Sequence, residues 1–276
     1  MEFRAFLFIS ALVAGGSLVP AQQAHAANIP VTNCNNSGAG SLRNAAAIAV
    51  SGDTLDLRAL SCNPINVTGG QIMLPQTSIT ILGRNRLEHT IRGNSTSRVL
   101  NHTGTGVLRL TRVSVSYGRF TSGGALGGCV YSEGNLELRQ SRVHHCDAVP
   151  SGGLEPSGSG GGVFAIGTCC SESSVFTNRL LGEGEGGGVG AFGTVTLDRS
   201  QVYSNVSQDD GGGIGAENVS LTYSMVLLNS ATHDLHADLF VALQAQAVES
   251  FGCADQRNAA ARHDAFFHGR ASGMES

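Results

Sequence analysis

Lysine and tryptophan are both absent from this chain, so each of its 17 basic residues is an arginine. Aromatic residues make up only 5% and charged residues only 14%. The formal charge of −4 provides no basic footprint for nucleic acid or an anionic membrane surface, and both are excluded as partners. No Ser-His-Asp arrangement, phosphate-binding loop or dinucleotide fingerprint is present, so no cofactor is implied. The 38 glycines follow no Gly-X-Y period, which excludes collagen. Long apolar runs are also missing. Phe6 to Ala14 is too short to span a bilayer; with Arg4 before it and Ala24-His25-Ala26 after it, residues 1–26 read as a secretory signal. No membrane span is expected in the mature chain, which is read as secreted or cell-surface.

What the chain does have is 41% hydrophobic residues and a repeat. Val195, Leu197, Ser200, Val202 and Asn205 recur 24 residues later as Val219, Leu221, Ser224, Val226 and Asn229. Leu136, Leu138, Ser141, Val143 and Cys146 form an earlier copy. Looser copies are Leu108, Leu110, Val113, Val115, Gly118 and Thr168, Cys170, Ser173, Val175, Asn178. The template is Φ-x-Φ-x-x-S-x-Φ-x-x-N, with Φ usually apolar. Starts at 108, 136, 168, 195 and 219 are 28, 32, 27 and 24 residues apart. Ahead of most copies stands a Gly-rich corner, as in Gly160-Gly161-Gly162-Val163, Gly186-Gly187-Gly188-Val189 and Gly211-Gly212-Gly213-Ile214.

Apolar residues at alternate positions imply half-buried strands, and one coil cannot bury its own apolar face. Copies must stack, which predicts an all-β, right-handed parallel β-helix over residues 63–230. Asn178, Asn205 and Asn229 then form either an inward amide ladder or a row of surface turns. The longest gap, between Cys146 and Gly160, predicts a loop excursion of the kind that carries binding in solenoids.

Residues 27–62 are expected to cap the first coil with a short Ala-rich helix that starts near Ser41 and stops at Gly52. Cys34 and Cys62 flank it and are expected to bridge; Cys129 and Cys146, at the two ends of one coil, are the second candidate pair. Seven cysteines leave at least one unpaired within the monomer. Cys169 and Cys170 should point to opposite sides, with Cys170 a small buried hydrophobe. Residues 231–276 lose the glycine pattern. They read either as a C-terminal cap, with Leu235, Leu239, Ala242 and Leu243 on a helix, or as a tail foreign to the fold.

Cys34, Gly40-Ser41-Leu42-Arg43-Asn44-Ala45 and Gly52-Asp53-Thr54-Leu55 resemble the C-S-L-R-E-A … G-D-T-I opening of bacterial secreted β-helix proteins. These include the choice-of-anchor families and the polymorphic outer-membrane and pectate-lyase-like passengers. Asn44 replaces the acidic residue of that motif, a change a helix cap tolerates. The resemblance implies an exported β-helix and, by fold analogy, places carbohydrate chemistry among the alternatives.

Gln208-Asp209-Asp210 imitates the paired carboxylates of polygalacturonases, but the other signatures of that family are missing. Asp209 and Asp210 stand as weak catalytic candidates against turn acids before a Gly corner. Asp147 and Asp198 occupy no equivalent slots, so no stacked calcium site is indicated. His144-His145 is set aside as a metal pair because neighbouring strand residues face opposite ways. His233, His236 and Asp238 form a weak set on a presumed helix. The reading is a non-catalytic exported scaffold contacting an extracellular glycan or cell-envelope component. Its alternatives are a pectin-type lyase or hydrolase and a truncated passenger of a larger surface protein.

Overall fold

A computed structural model of the chain describes residues 26–151, 157–232 and 239–241. The 1–26 signal segment, apart from Ala26, lies outside these residues, as do His233, His236 and Asp238. The architecture is a parallel β-solenoid of about seven turns with one helix among the described residues. A first sheet of eight strands runs from Asn28–Pro30 to Asn218–Thr222. A second sheet of seven runs from Ile65–Val67 to Met225–Leu227, and a third of seven from Ile72–Leu74 to Leu239–Val241. Every described strand pair is parallel, as stacking of successive coils requires.

The register sets the repeat copies side by side. Leu108, Leu136, Thr168, Val195 and Val219 are consecutive Cα partners in the first sheet. Val130, Val163, Val189 and Ile214, each following a Gly-rich corner, are partners in the third. The inward side chains of all three sheets merge into one apolar core, with Leu110, Leu138, Val143 and Leu197 fully buried. Each such side chain contributes on the order of 1.5–3 kcal/mol relative to exposure.

Two bends per coil turn the chain through left-handed backbone that most residues avoid. The first bend passes through Arg112, Gln140, Glu172, Arg199 and Tyr223, at φ between 46° and 56°. The second passes through Tyr117, His145, Thr177, Ser204 and Leu228, at φ between 53° and 56°. Hydrogen-bond ladders offset this strain. At the first bend Ser141 N–H donates to Ser173 Oγ (3.0 Å), Ser173 N–H to Ser200 Oγ (3.1 Å) and Ser200 N–H to Ser224 Oγ (3.0 Å).

At the second bend the two readings of the asparagines resolve in favour of the inward ladder. Asn178 and Asn205 are fully buried. Asn205 Oδ1 accepts from both the N–H and the Nδ2 of Asn178 (3.0 Å each), while Asn205 Nδ2 donates to Val175 O (3.0 Å) and Asn229 Oδ1 (2.9 Å). A Cβ on Gly188 would sit 2.7 Å from Asn205 Nδ2, so the glycine corner and the amide ladder require each other. One coil earlier the asparagine slot holds Cys146, which is bonded to Cys129; Cys34 is bonded to Cys62.

The helix spans Leu42–Ile48, capped by Ser41 Oγ accepting from Asn44 N–H (3.2 Å). It ends before Gly52 because Val50 N–H is taken by Asp53 Oδ2 (2.9 Å) and Ala49 is already extended. The capping region also supplies two strands of the first sheet, Asn28–Pro30 and Thr54–Asp56. At the far end Leu235, Ala242 and Leu243 lie outside the described residues, and Leu239 is not helical. Leu239–Val241 is a strand paired with Ile214–Ala216, because the open edge of the third sheet offers it backbone partners that a helix would leave unused.

Candidate functional site

Beyond the second bend the coils widen. Asp147–Pro150 pairs with Arg119–Ser122 and Arg179–Leu180 in a further sheet, and Ser157–Ser159 pairs with Glu183–Glu185. The gap after Cys146 is therefore partly sheet, not simply loop. Asp147 in that sheet is held by Arg179 (Nε to Oδ1 2.8 Å, Nη2 to Oδ2 3.0 Å) and by Arg119 (3.5 Å). Asp209 Oδ2 accepts from Gly184 N–H (2.9 Å), and the Asp210 backbone bridges Glu185. The two aspartates thus sit in the turn that seats one widened coil on the previous one. Asp198 pairs with Arg199 at 2.9 Å, away from both.

The outer face of the second sheet carries the most concentrated chemistry. Along it Ser116, His144, Phe176, Tyr203 and Leu227 form one row, each the third residue of its strand. His144, Phe176 and Tyr203 stack ring on ring at 4.9 Å between centroids, with planes 14° and 3° apart. On the neighbouring bend His145 stacks on Tyr117 at 5.1 Å, and the Arg92 guanidinium lies 4.4 Å from the Tyr117 ring centroid. A second outward row, Ser114, Arg142, Ser174 and Gln201, flanks the rings with donors. This stripe was legible: the slot after the third Φ of the template holds His144, Phe176 and Tyr203 in consecutive copies.

The expectation that His144 and His145 face apart is corrected. His145 lies in the left-handed bend (φ 56°), which breaks strand alternation and brings the two rings to one side, Nδ1 to Nδ1 at 2.7 Å. Burial, then the neighbouring His145 and Arg142, push the His144 pKa down to about 4. His102, fully buried between Ser132 Oγ (2.7 Å) and Gln76 O (2.9 Å), is also lowered by burial. Below about pH 6.5 the unfolded chain therefore takes up protons that the folded chain refuses. Stability is expected to fall as pH drops from there toward about 4, the His144 value. Melting curves across that window should show it, with a shallower slope for His144→Phe; an unchanged slope in the variant would remove His144 from the account.

Cys170 joins the core and is the free thiol among the described cysteines, its pKa pushed up to about 12 by complete burial. Cys169 faces the other way, is nonetheless buried, and is disulfide-bonded. Among the described residues no cluster of three or more His, Cys, Asp or Glu is placed to hold a metal, and no helix is long and apolar enough to cross a membrane. Compared with protein-family models, curated proteins and solved structures, the chain matches none.

Proposed function

We propose that this chain is an exported, non-catalytic β-helix scaffold that binds a linear extracellular or cell-envelope glycan along the outer face of its second sheet. The observation that carries this reading is the axial row Ser116, His144, Phe176, Tyr203 and Leu227. Successive coils repeat at ~4.8 Å, so a polymer lying along the axis meets a ring at each of three steps, His144, Phe176 and Tyr203, while Ser116 beyond them is buried. The ring faces are occupied by one another, which leaves ring edges, the Tyr203 hydroxyl, Arg142 and Gln201 to meet sugar hydroxyls and C–H groups. Weak contacts repeated along one ligand sum to useful affinity.

Export is supported by the disulfides Cys34–Cys62 and Cys129–Cys146 and by the resemblance to bacterial secreted β-helix proteins. The engagement of Asp209 by a backbone amide favours the turn-acid reading over a general acid or base. Affinity electrophoresis through a panel of cell-wall and matrix polysaccharides tests the proposal. Retention by at least one linear glycan is expected, weakened about tenfold or more by Phe176→Ser with Tyr203→Ser. Equal retention of that variant would sink the reading. Release of reducing or unsaturated ends, lost in Asp209→Ala with Asp210→Ala, would establish the lyase or hydrolase alternative instead.

A further inference from the structure

The paired imidazoles have a geometry that the glycan reading does not need. Their Nδ1 atoms are 2.7 Å apart with ring planes 82° to one another. Two nitrogens each ~2.0 Å from one metal ion, at right angles, are separated by ~2.8 Å. The observed contact is a hydrogen bond in which His145 Nδ1–H donates to His144 Nδ1, and its spacing is close to that of two cis ligands around a single ion, which would take the place of the proton and release it to solvent. We propose that His144 and His145 chelate a divalent copper ion through their two Nδ1 atoms, independently of any glycan.

Three features prepare the pair. His144 Nε2 lies 3.0 Å from Ser114 Oγ; with Nε2–H donating to that hydroxyl, Nδ1 carries the lone pair a metal needs. Each ring is fixed by a neighbouring coil: His144 against Phe176 at 4.9 Å, His145 against Tyr117 at 5.1 Å. His145 is exposed and His144 half-buried, so water can complete the remaining coordination positions. Imidazole donors suit copper, nickel and zinc, and copper(II) is the tightest of these for a given nitrogen set. Arg142, beside His144, and Arg92, over Tyr117, oppose a dication and limit the affinity.

The experiment titrates the full chain, made without a histidine tag, with copper(II) chloride near neutral pH, following calorimetry and electron paramagnetic resonance. The comparison is His144→Phe with His145→Asn, chosen because Phe continues the aromatic stack and Asn tolerates the left-handed bend. The nine histidines of the chain give a background that the difference removes. Wild type is expected to bind one more equivalent than the variant, with a spectrum of two nitrogen donors. Ser114→Ala should weaken that equivalent by ~10-fold without abolishing it, as loss of a group that orients a ligand does. Equal stoichiometry in wild type and a double variant with the same circular dichroism overturns the proposal. Should the double variant misfold, His145→Asn alone carries the same comparison, since one imidazole cannot hold the ion as a chelate.

Discussion

Replacing Arg98 with alanine is expected to destabilise the solenoid by about 4 kcal/mol and lower its melting temperature by roughly 8–16 °C. Arg98 is 4% exposed and has no carboxylate partner among the described residues. Its guanidinium donates to Gly127 O (2.9 Å), to Leu126 O and to Gln71 Oε1 (3.2 Å). Its carbon atom Cζ sits 3.7 Å from the Phe120 ring centroid and 4.9 Å from that of Tyr131. The side chain therefore ties the third sheet to the corner of the next coil and to the widened region. Burial pulls its pKa down to about 10, which still leaves it charged at neutral pH.

Alanine at this position orphans two carbonyls and empties the space between two rings, and each charged hydrogen bond lost costs about 1.5–3 kcal/mol before relaxation. Lysine keeps the charge but not the planar fork, so Arg98→Lys should recover only part of the loss. Urea and thermal melts decide the matter. A change below about 1 kcal/mol for the alanine variant would mean that water replaces the guanidinium at little cost and that the clamp is incidental.

The legibility of this fold in its sequence follows from which signals survive insertion. Leu136, Leu138 and Val143 fall in fixed slots because the strands and the bend between them have constant length, so the register reads directly from the template. Ile79 and Ile81 occupy the same inward slots but escape the template, because residues 83–89 intervene before the chain re-enters the second sheet at Thr90–Gly93. Leu239 invites a helical reading through Leu235 and Leu243, whereas strands of the third sheet are only three residues long, too short to show alternation.

The site was half legible for a related reason. The slot of His144, Phe176 and Tyr203 is plain in the template. That His145 joins His144 is not, because strand alternation holds only while the backbone stays extended, and His145 is left-handed. Nothing in the local sequence of His145 announces that bend. It comes from the coil as a whole, whose equivalent residues Thr177 and Ser204 bend alike.

Asn205 should show the second large effect, and the choice of replacement separates hydrogen bonding from packing. Asn205→Ala removes an acceptor for Asn178 N–H and Nδ2 and a donor to Val175 O and Asn229 Oδ1, all inside the core. With several buried groups orphaned at ~1–3 kcal/mol each, less what relaxation recovers, a cost of about 4 kcal/mol is expected. Asn205→Asp has nearly the same shape but turns the donating amide into a second acceptor facing Val175 O and Asn229 Oδ1, and buries a charge. At pH 7 it should therefore be worse than alanine. The sign of its pH dependence follows. Burial beside two acceptors raises the folded-state pKa of the new carboxyl above its unfolded value near 4. The unfolded chain then holds fewer protons than the folded chain between these two values, so the gap to wild type should narrow as pH falls through that window. Below it the protonated acid donates one of the two lost bonds, and the variant should overtake Asn205→Ala. Parallel denaturant melts of the three proteins at pH 7 and near pH 4 test this ordering. An aspartate variant as stable as wild type at pH 7 would mean that the amide hydrogens of the ladder contribute nothing and that shape alone holds the bend.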